Sequence, residues 1–287
     1  MGDLLIDSLC KATEAAATQI KHIYADETTI TTGSYGRFGD TELYIHGGGF
    51  SGLWAIGLLH IFHTLEEVGA MNIHILHGYS IGAIVSVFYA CGFTTRESIR
   101  AYIMLQERVN GSGLYTACRD ILSKVLPDNA HELCTGRIRI GMTQKFPLWY
   151  REESVFPTRA SLIDAIVNSA SVPGVTASLS DSVYNYVDGL FGHTAWGWSP
   201  PRLGRSGIEL LPPSLGYTYI FSPNDPYIYG LIMNGLTDVI YFLQKKHTKY
   251  IRHLSYMPWH VGKFTHLIDR IHVHMLQRIA CVSPTSD

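Results

Sequence analysis

Ser80 lies in the run Gly78-Tyr79-Ser80-Ile81-Gly82, between a short apolar segment, Ile75-Leu76-His77, and a stretch of small and branched residues. A serine on a tight strand-to-helix turn needs glycine two positions to either side, because a Cβ there would collide with the neighbouring strand or helix. Gly78 and Gly82 meet that need, so the run reads as a nucleophile elbow with Ser80 as the candidate nucleophile of an acyl-transfer reaction. The helix that follows turns its free N–H groups and positive dipole end toward the serine, which suits negative charge developing there. Two other segments carry polar chemistry beside glycine: His46-Gly47-Gly48-Gly49-Phe50-Ser51-Gly52, and Asp188-Gly189. Read alone, a glycine loop after a strand is a tight turn or a phosphate cradle, and Asp-Gly at a strand end is a turn.

The elements that must position these residues follow from the spacing of apolar side chains. Leu43 to His46 reads as a strand, about Leu53 to Val68 as a helix, Asn72 to His77 as a strand, and the elbow leads into another helix. A βαβα run of this kind implies a parallel sheet with right-handed crossovers, so the glycine loop and the elbow fall at the same carboxyl edge, where open α/β sheets bind ligands. Residues 3–23 have helical spacing, and Thr28 to Asp40 reads as loop. Thr95 to Leu126 is helical with a break at Asn110 to Gly113, Arg137 to Thr143 is a strand, Pro157 to Ser169 a helix, and Tyr184 to Gly189 a strand ending in Asp-Gly. Trp196 to Pro213, rich in proline and glycine, reads as loop, Tyr217 to Ser222 as a last strand, and the remainder from Tyr227 as helical. The expected organisation is an N-terminal helical appendage over 1–40, a catalytic α/β domain over 41–225 and a basic helical segment over 226–287.

Composition limits the function classes. With 287 residues, 46% hydrophobic and 16% charged, the chain can bury a full core and is neither disordered nor fibrous. A formal charge of −2 gives no overall basic field for nucleic acid. Five cysteines, Cys10, Cys91, Cys118, Cys134 and Cys281, are scattered without C-x-x-C spacing, so neither a disulfide framework nor a zinc site is expected, and no cofactor or metal is implied. The first residues lack a basic region and a long apolar core, and Ile6 stands where a myristoylation signal has Ser or Thr. An intracellular protein without a cleaved export signal is the expectation.

Taken in order and in those strand contexts, Gly47-Gly48-Gly49-Phe50-Ser51-Gly52, Gly78-Tyr79-Ser80-Ile81-Gly82 and Asp188-Gly189 resemble the patatin-like phospholipase family. Ser169-Ala170-Ser171-Val172-Pro173 resembles the family's segment before its aspartate. Lys124 to Glu132, with Thr135-Gly136-Arg137, is similar to the adiponutrin and adipose triglyceride lipase subgroup. The resemblance covers about Leu43 to Gly189 and implies a three-layer α/β/α fold around a mostly parallel sheet. It also implies a lipid acyl hydrolase with a Ser-Asp dyad, in which Asp188 acts as base directly on Ser80. Backbone amides of the glycine loop, Gly47, Gly48, Gly49 and Gly52, would form the oxyanion hole, since only glycine lets backbone approach the substrate so closely. The chain departs from the family pattern at Ser51, where many members carry Arg or Lys, and at Leu190 and the following Phe191 to Ala195, which lack the usual Asn-x-Pro. A contact to phosphate from position 51 is therefore absent, and the loop bearing Asp188 is expected to differ in shape.

His46-Gly47-Gly48-Gly49 also resembles the H-G-G-G motif of hormone-sensitive-lipase-like α/β-hydrolases, which would use a triad of Ser80, Asp188 and a late histidine such as His260. Those enzymes need further strands and helices between loop and elbow, whereas 31 positions separate Gly49 from Ser80, room for one helix and one strand. His46 and His77 then read as strand-end side chains, or as a pair beside the site that tunes its ionisation. Between Tyr241 and Arg278 seven basic residues, Lys245, Lys246, Lys249, Arg252, Lys263, Arg270 and Arg278, face one acid, Asp269, a net +6 among aromatic and aliphatic residues. This is either an interfacial segment drawn to an anionic membrane or lipid-droplet surface, or a solvated helical face. The expected partner is a lipid ester. The alternative is a catalytically weak domain of the same type that binds lipid or a protein partner.

Overall fold

A computed structural model describes residues 3–25, 38–147, 149–172, 186–198, 205–213, 225–246 and 248–254. The strand expected over Tyr217 to Ser222, Pro173 of the Ser169–Pro173 motif, His260 and the basic residues beyond Arg252 lie outside them. Strands β1 (Gly39–Ile45), β2 (Met71–Tyr79), β3 (Ile138–Gln144) and β6 (Ser206–Leu210) form a parallel core in the order β3-β2-β1-β6. Two antiparallel strands, β4 (Trp149–Glu153) and β7 (Ile251–Leu254), flank it on β3 and β6. The short β5 (Tyr186–Asp188) also pairs with β3.

Alternation along the parallel strands gives the sheet two unlike faces. Leu43, Ile45, Leu76, Ile138, Ile140 and Ile208 form one, wholly buried and apolar. Helix α3 (Ile81–Ala90) packs on it, and the space a Cβ would need at Gly78 is taken by Gly82 and Ser86 of that helix. Glu42, Tyr44, His46, His77, Tyr79 and Glu209 point the other way, toward α8 (Gly189–Trp196), whose His193 ring lies 5.0 Å from that of Tyr79. Helices thus cover both faces of a mostly parallel sheet, the three-layer arrangement expected.

Helix α2 (Leu53–Glu67) makes the β1-to-β2 crossover, and its fully buried Trp54 donates from Nε1 to Asp238 Oδ2 of α9 (Asp225–Leu243) at 2.7 Å. Helix α1 (Asp3–Ala25) buries Ile6, Leu9, Thr13, Ala16, Ala17, Ile20 and Tyr24, a stripe at helical spacing that packs on α2, α9 and α4 (Thr95–Ser112) and joins the same core. The helical break expected near Asn110 to Gly113 is at Gly113, whose φ of 74° ends α4 before α5 (Leu114–Val125). Helix α6 (Ala130–Cys134) precedes β3. The helix expected from Pro157 is α7 (Arg159–Ser169), shortened because Thr158 and Ser161 form a capping box.

Three expectations need correction. The loop over Trp196 to Pro213 contains β6, held between β1 and β7. The uninterrupted helical reading from Tyr227 fails at Leu243, after which the chain returns as β7 along the edge of the sheet. Finally β1 begins at Gly39, inside the stretch read as loop. Among the described residues no helix is long and apolar enough to cross a membrane.

Candidate active site

Ser80 closes β2 and caps α3 with φ 55° and ψ −129°, a left-handed backbone that a serine adopts only when its surroundings hold it there. The holding contacts are identifiable. A Cβ at Gly82 would come 2.1 Å from the Ile45 carbonyl oxygen, so the start of α3 is pressed on the end of β1. The Ser80 amide donates to Ser169 Oγ at 2.8 Å, and the Ser169 hydroxyl in turn donates to the Gly141 carbonyl at 2.7 Å, tying the elbow to α7 and β3.

Asp188 arrives at Ser80 through a property of the sheet. β2 occupies the edge of β3 only as far as the Tyr79–Gly141 pair, where the chain turns away at Ser80. The vacated edge, Met142 to Gln144, is filled by β5 running antiparallel, which sets Asp188 opposite Met142, the next position beyond Gly141. The Asp188 amide donates to the Ser171 carbonyl at 2.8 Å, and its carbonyl accepts from Thr143 Oγ1 at 2.7 Å. Thr143 Oγ1 also accepts from the Gly192 amide at 2.7 Å, which holds the first turn of α8.

The Asp188 carboxylate is 3% exposed and caps α8, its Oδ1 accepting from the Leu190 amide at 2.8 Å. Burial pushes its pKa from 3.8 up to about 6, and hydrogen bonds from the Leu190 amide and the Ser80 hydroxyl pull against that rise. Ser80 and Asp188, 108 positions apart, are therefore neighbours in a dry setting, the hydroxyl near enough to the carboxylate to lower its pKa. The departure at Leu190 leaves this cap in place: position 190 is read through its backbone N–H.

The glycine loop lies on the other side of the serine. A Cβ at Gly47 would sit 2.9 Å from Ser80 Cβ and 2.7 Å from the Tyr79 ring, so only glycine allows this approach. Gly48 precedes a single 3₁₀ turn, Gly49–Gly52, in which Gly49 has φ 56°; Gly52 packs on Ile81. Ser51, standing where many members of the resembled family have a basic residue, donates its hydroxyl to the Gly48 carbonyl and helps fold the loop. Gly49 and Ser80 border one cleft.

The two histidines belong to the polar face of the sheet. His46 Nε2 lies 2.6 Å from Glu209 Oε1 and its Nδ1 2.9 Å from the Tyr79 hydroxyl. The same Nε2 is 3.1 Å from Trp198 Nε1, and the shorter contact to the carboxylate favours a proton on Nε2, which leaves Nδ1 to accept from Tyr79. His46 thus links the residue before the glycine loop to the residue before the nucleophile. His77 is fully buried with Glu152 at 3.2 Å and Glu42 at 3.3 Å; burial disfavours its charge, but the two carboxylates outweigh that and raise its pKa. Glu42 is held down near 2: burial opposes its charge, and His77, Tyr44 and Arg205 overcome that cost. The groups that set Asp188 are its burial, Leu190 and Ser80, so the idea that these histidines tune the site's ionisation gains no support at Asp188. Among the described residues no group of three His, Cys, Asp or Glu side chains is placed to hold a metal ion.

Ser169, Thr143, Glu209 and Tyr79 also build the site, and no motif in the sequence gives any of them a role. Glu209 carried a signal in principle, as an acid alternating with Ile208 and Leu210.

Comparison with known proteins adds the following. The family model described as patatin-like phospholipase matches residues 43–194. Human omega-hydroxyceramide transacylase is 26% identical over 157 residues, which cover 50% of this chain and 29% of that protein, so the chain spans less than a third of this relative's length. Among solved structures, the ExoU–SpcU heterodimer of the Pseudomonas aeruginosa type III secretion system aligns with a TM-score of 0.40 and 14% identity over 77% of this chain and 54% of that one. VipD of Legionella pneumophila aligns with a TM-score of 0.37 and 11% identity over 77% and 68%.

Proposed function

The chain belongs to the patatin-like phospholipase family, and from that premise we propose that it is a lipid acyl hydrolase working through a Ser80–Asp188 dyad. The observation that supports the reading is the strained turn that sets Ser80 against the glycine loop on one side and near the buried Asp188 carboxylate, whose pKa its hydroxyl lowers, on the other. Asp188 takes the hydroxyl proton as Ser80 Oγ attacks the ester carbonyl carbon. The tetrahedral oxyanion is met by amides of the Gly47, Gly48 and Gly49 backbone, each such donor contributing typically about 2.7–4 kcal/mol. Collapse expels the alcohol, which leaves with the proton from Asp188. Water then enters and gives its proton to Asp188 as its oxygen attacks the acyl-serine, and Asp188 passes that proton to Ser80 Oγ as the acid leaves. A carboxylate with a pKa near 6 suits both directions of transfer near neutral pH.

The acyl-enzyme is common to hydrolysis and to transfer onto an alcohol. The name of the human relative, a transacylase, makes the acceptor a point to measure through product analysis with and without added alcohol. Peripheral contact with a membrane or lipid-droplet surface is part of the reading, supported by exposed Lys245, Lys246, Lys249 and Arg252 around the start of β7. The test compares purified wild type with Ser80→Ala on p-nitrophenyl butyrate. Loss of nearly all turnover with unchanged circular dichroism is expected, and wild-type-level turnover by Ser80→Ala would overturn the assignment.

A further inference from the structure

The cysteines are scattered along the sequence, yet the fold brings two of them together. Cys91 and Cys134, 43 positions apart, are free thiols whose sulfurs lie 4.0 Å from each other. Each sits at a helix end that its surroundings fix. Cys91 closes α3: Gly92, with φ 73°, takes the left-handed turn, and the Gly92 and Phe93 amides donate to the Tyr89 and Phe88 carbonyls, which makes a Schellman cap. Cys134 ends α6; its carbonyl accepts from the Arg137 amide at 3.0 Å, and the Gly136 amide donates to the Ser154 carbonyl at 2.8 Å. The helix that begins at the nucleophile and the approach to β3 therefore meet at a pair of sulfurs. Cys134 is fully buried and Cys91 is partly exposed, so Cys91 is the member of the pair open to solvent.

The two thiols are not equivalent. The contact with Cys134 draws the Cys91 pKa below its ordinary value, burial opposes this, and the Arg137 guanidinium adds to the lowering; the same contact, together with burial, pushes Cys134 up. Cys118, by contrast, is 2% exposed and is pushed up to about 12 by burial alone, as suits a cysteine that only packs. We propose that Cys91 and Cys134 form an oxidation site, at which a hydroperoxide converts the two thiols to a disulfide that clamps the end of α3 to the approach to β3. The Cys91 sulfur attacks the outer peroxide oxygen, the O–O bond breaks, the alcohol or water formed leaves with the Cys91 proton, and Cys91 becomes a sulfenic acid. The Cys134 sulfur then attacks the Cys91 sulfur, the S–S bond forms as the S–O bond breaks, and water leaves with the Cys134 proton. The two sulfurs together lose two electrons and the peroxide gains them, so no further reactant is needed. From 4.0 Å the sulfurs have about 2 Å to close to reach bonding distance. The bridge closes a ring over 91–134 that contains α4 and α5. Constraining that stretch in the unfolded chain favours the folded one, and for a ring of this size the melting temperature should rise by about 5–10 °C.

The test starts from wild-type protein reduced with dithiothreitol, freed of it, exposed to hydrogen peroxide and then alkylated with iodoacetamide in denaturant. Cys91 and Cys134 are expected to escape alkylation and to appear in one cross-linked peptide by mass spectrometry, at a peroxide dose that leaves Cys10 and Cys118 open to the reagent. The melting temperature of the oxidised protein should rise by about 5–10 °C, and dithiothreitol should reverse both changes. Cys134→Ser should stop at the Cys91 sulfenic acid, which dimedone traps, and Cys91→Ser should leave Cys134 alkylated after peroxide. The wild-type measurements need no variant, so a poorly folding substitution leaves the question decidable. Alkylation of both Cys91 and Cys134 after peroxide would overturn the oxidation site. A bridge that forms while the melting temperature stays level or falls would overturn the clamp.

Discussion

Asp188→Asn should make the protein more stable at neutral pH while removing its activity. In the folded state burial raises the Asp188 pKa from 3.8 to about 6, so above pH 6 the wild type carries an ionised group that the fold would rather hold protonated. The difference, at 1.36 kcal/mol per pH unit, corresponds to about 3 kcal/mol of lost stability at pH 8. The sign follows from the direction of the shift. A raised pKa means that stability is fully present below pH 3.8, where both folded and unfolded states are protonated, and is lost as pH rises through about 6. Asparagine is neutral at every pH, and its side-chain oxygen can still accept from the Leu190 amide and the Ser80 hydroxyl. Urea unfolding of the two proteins from pH 3.5 to 8 should therefore show nearly equal stabilities at the acid end and a gap that opens to about 3 kcal/mol in favour of Asp188→Asn at the alkaline end. Wild-type kcat/KM should rise with pH over the same interval and level off above it, because the base must be ionised. A gap that stays constant with pH, or an asparagine variant less stable than wild type at pH 8, would refute the claim that Asp188 is an ionised group held in a dry site.

Other expectations follow from the same geometry. Tyr79→Phe strips His46 Nδ1 of its partner inside the protein and should cost about 1–3 kcal/mol in urea unfolding, with kcat lowered more than KM is raised because the glycine loop and the elbow lose their link. Gly82→Ala places a Cβ against the Ile45 carbonyl, and a loss of about 3 kcal/mol or more, seen as a sharply lower melting temperature, is expected. Glu42→Gln removes one of the two carboxylates facing buried His77, and should destabilise by about 3 kcal/mol at pH 7. Because the folded-state pKa of Glu42 is depressed, its contribution is present above pH 4.5 and is lost as pH falls toward 2; the variant's deficit should shrink over that range in the same unfolding assay.

The parts of this fold that local pattern encodes are legible in the sequence alone. The run from β1 through α3 has apolar spacing, glycine punctuation and short connections that agree with one another, so the common edge for Gly47–Gly49 and Ser80 followed directly. The strands that escaped were those whose alternation is disguised. In β6 the inward residue of the polar face is Glu209, a carboxylate bound to His46, so Ser-Gly-Ile-Glu-Leu between prolines resembles a loop. β7 is an edge strand whose exposed Arg252 and His253 merge with a basic run, the kind of charge that keeps an edge from pairing with other chains. The contacts of Ser169 and Thr143 depend on which strand edge is free beyond Gly141, a property of the assembled sheet that no local pattern records.

That vacated edge of β3 also bears on the order in which the protein comes into being. The turn of the elbow is built first from neighbours, since β1, α2, β2 and α3 are consecutive and their contacts close short loops; Ser169 of α7 is tied to it afterwards. The carboxylate is supplied by a three-residue strand 108 positions after the serine, docking on an edge that exists only once β3 has joined β2. Pairings between residues so distant in sequence form late, because the entropy of closing the intervening chain is lost before the contact returns anything. A chain emerging from synthesis would thus carry its nucleophile in a formed turn well before it has a base to activate it. On the dyad proposed above, ester cleavage would begin only once β5 has docked on β3.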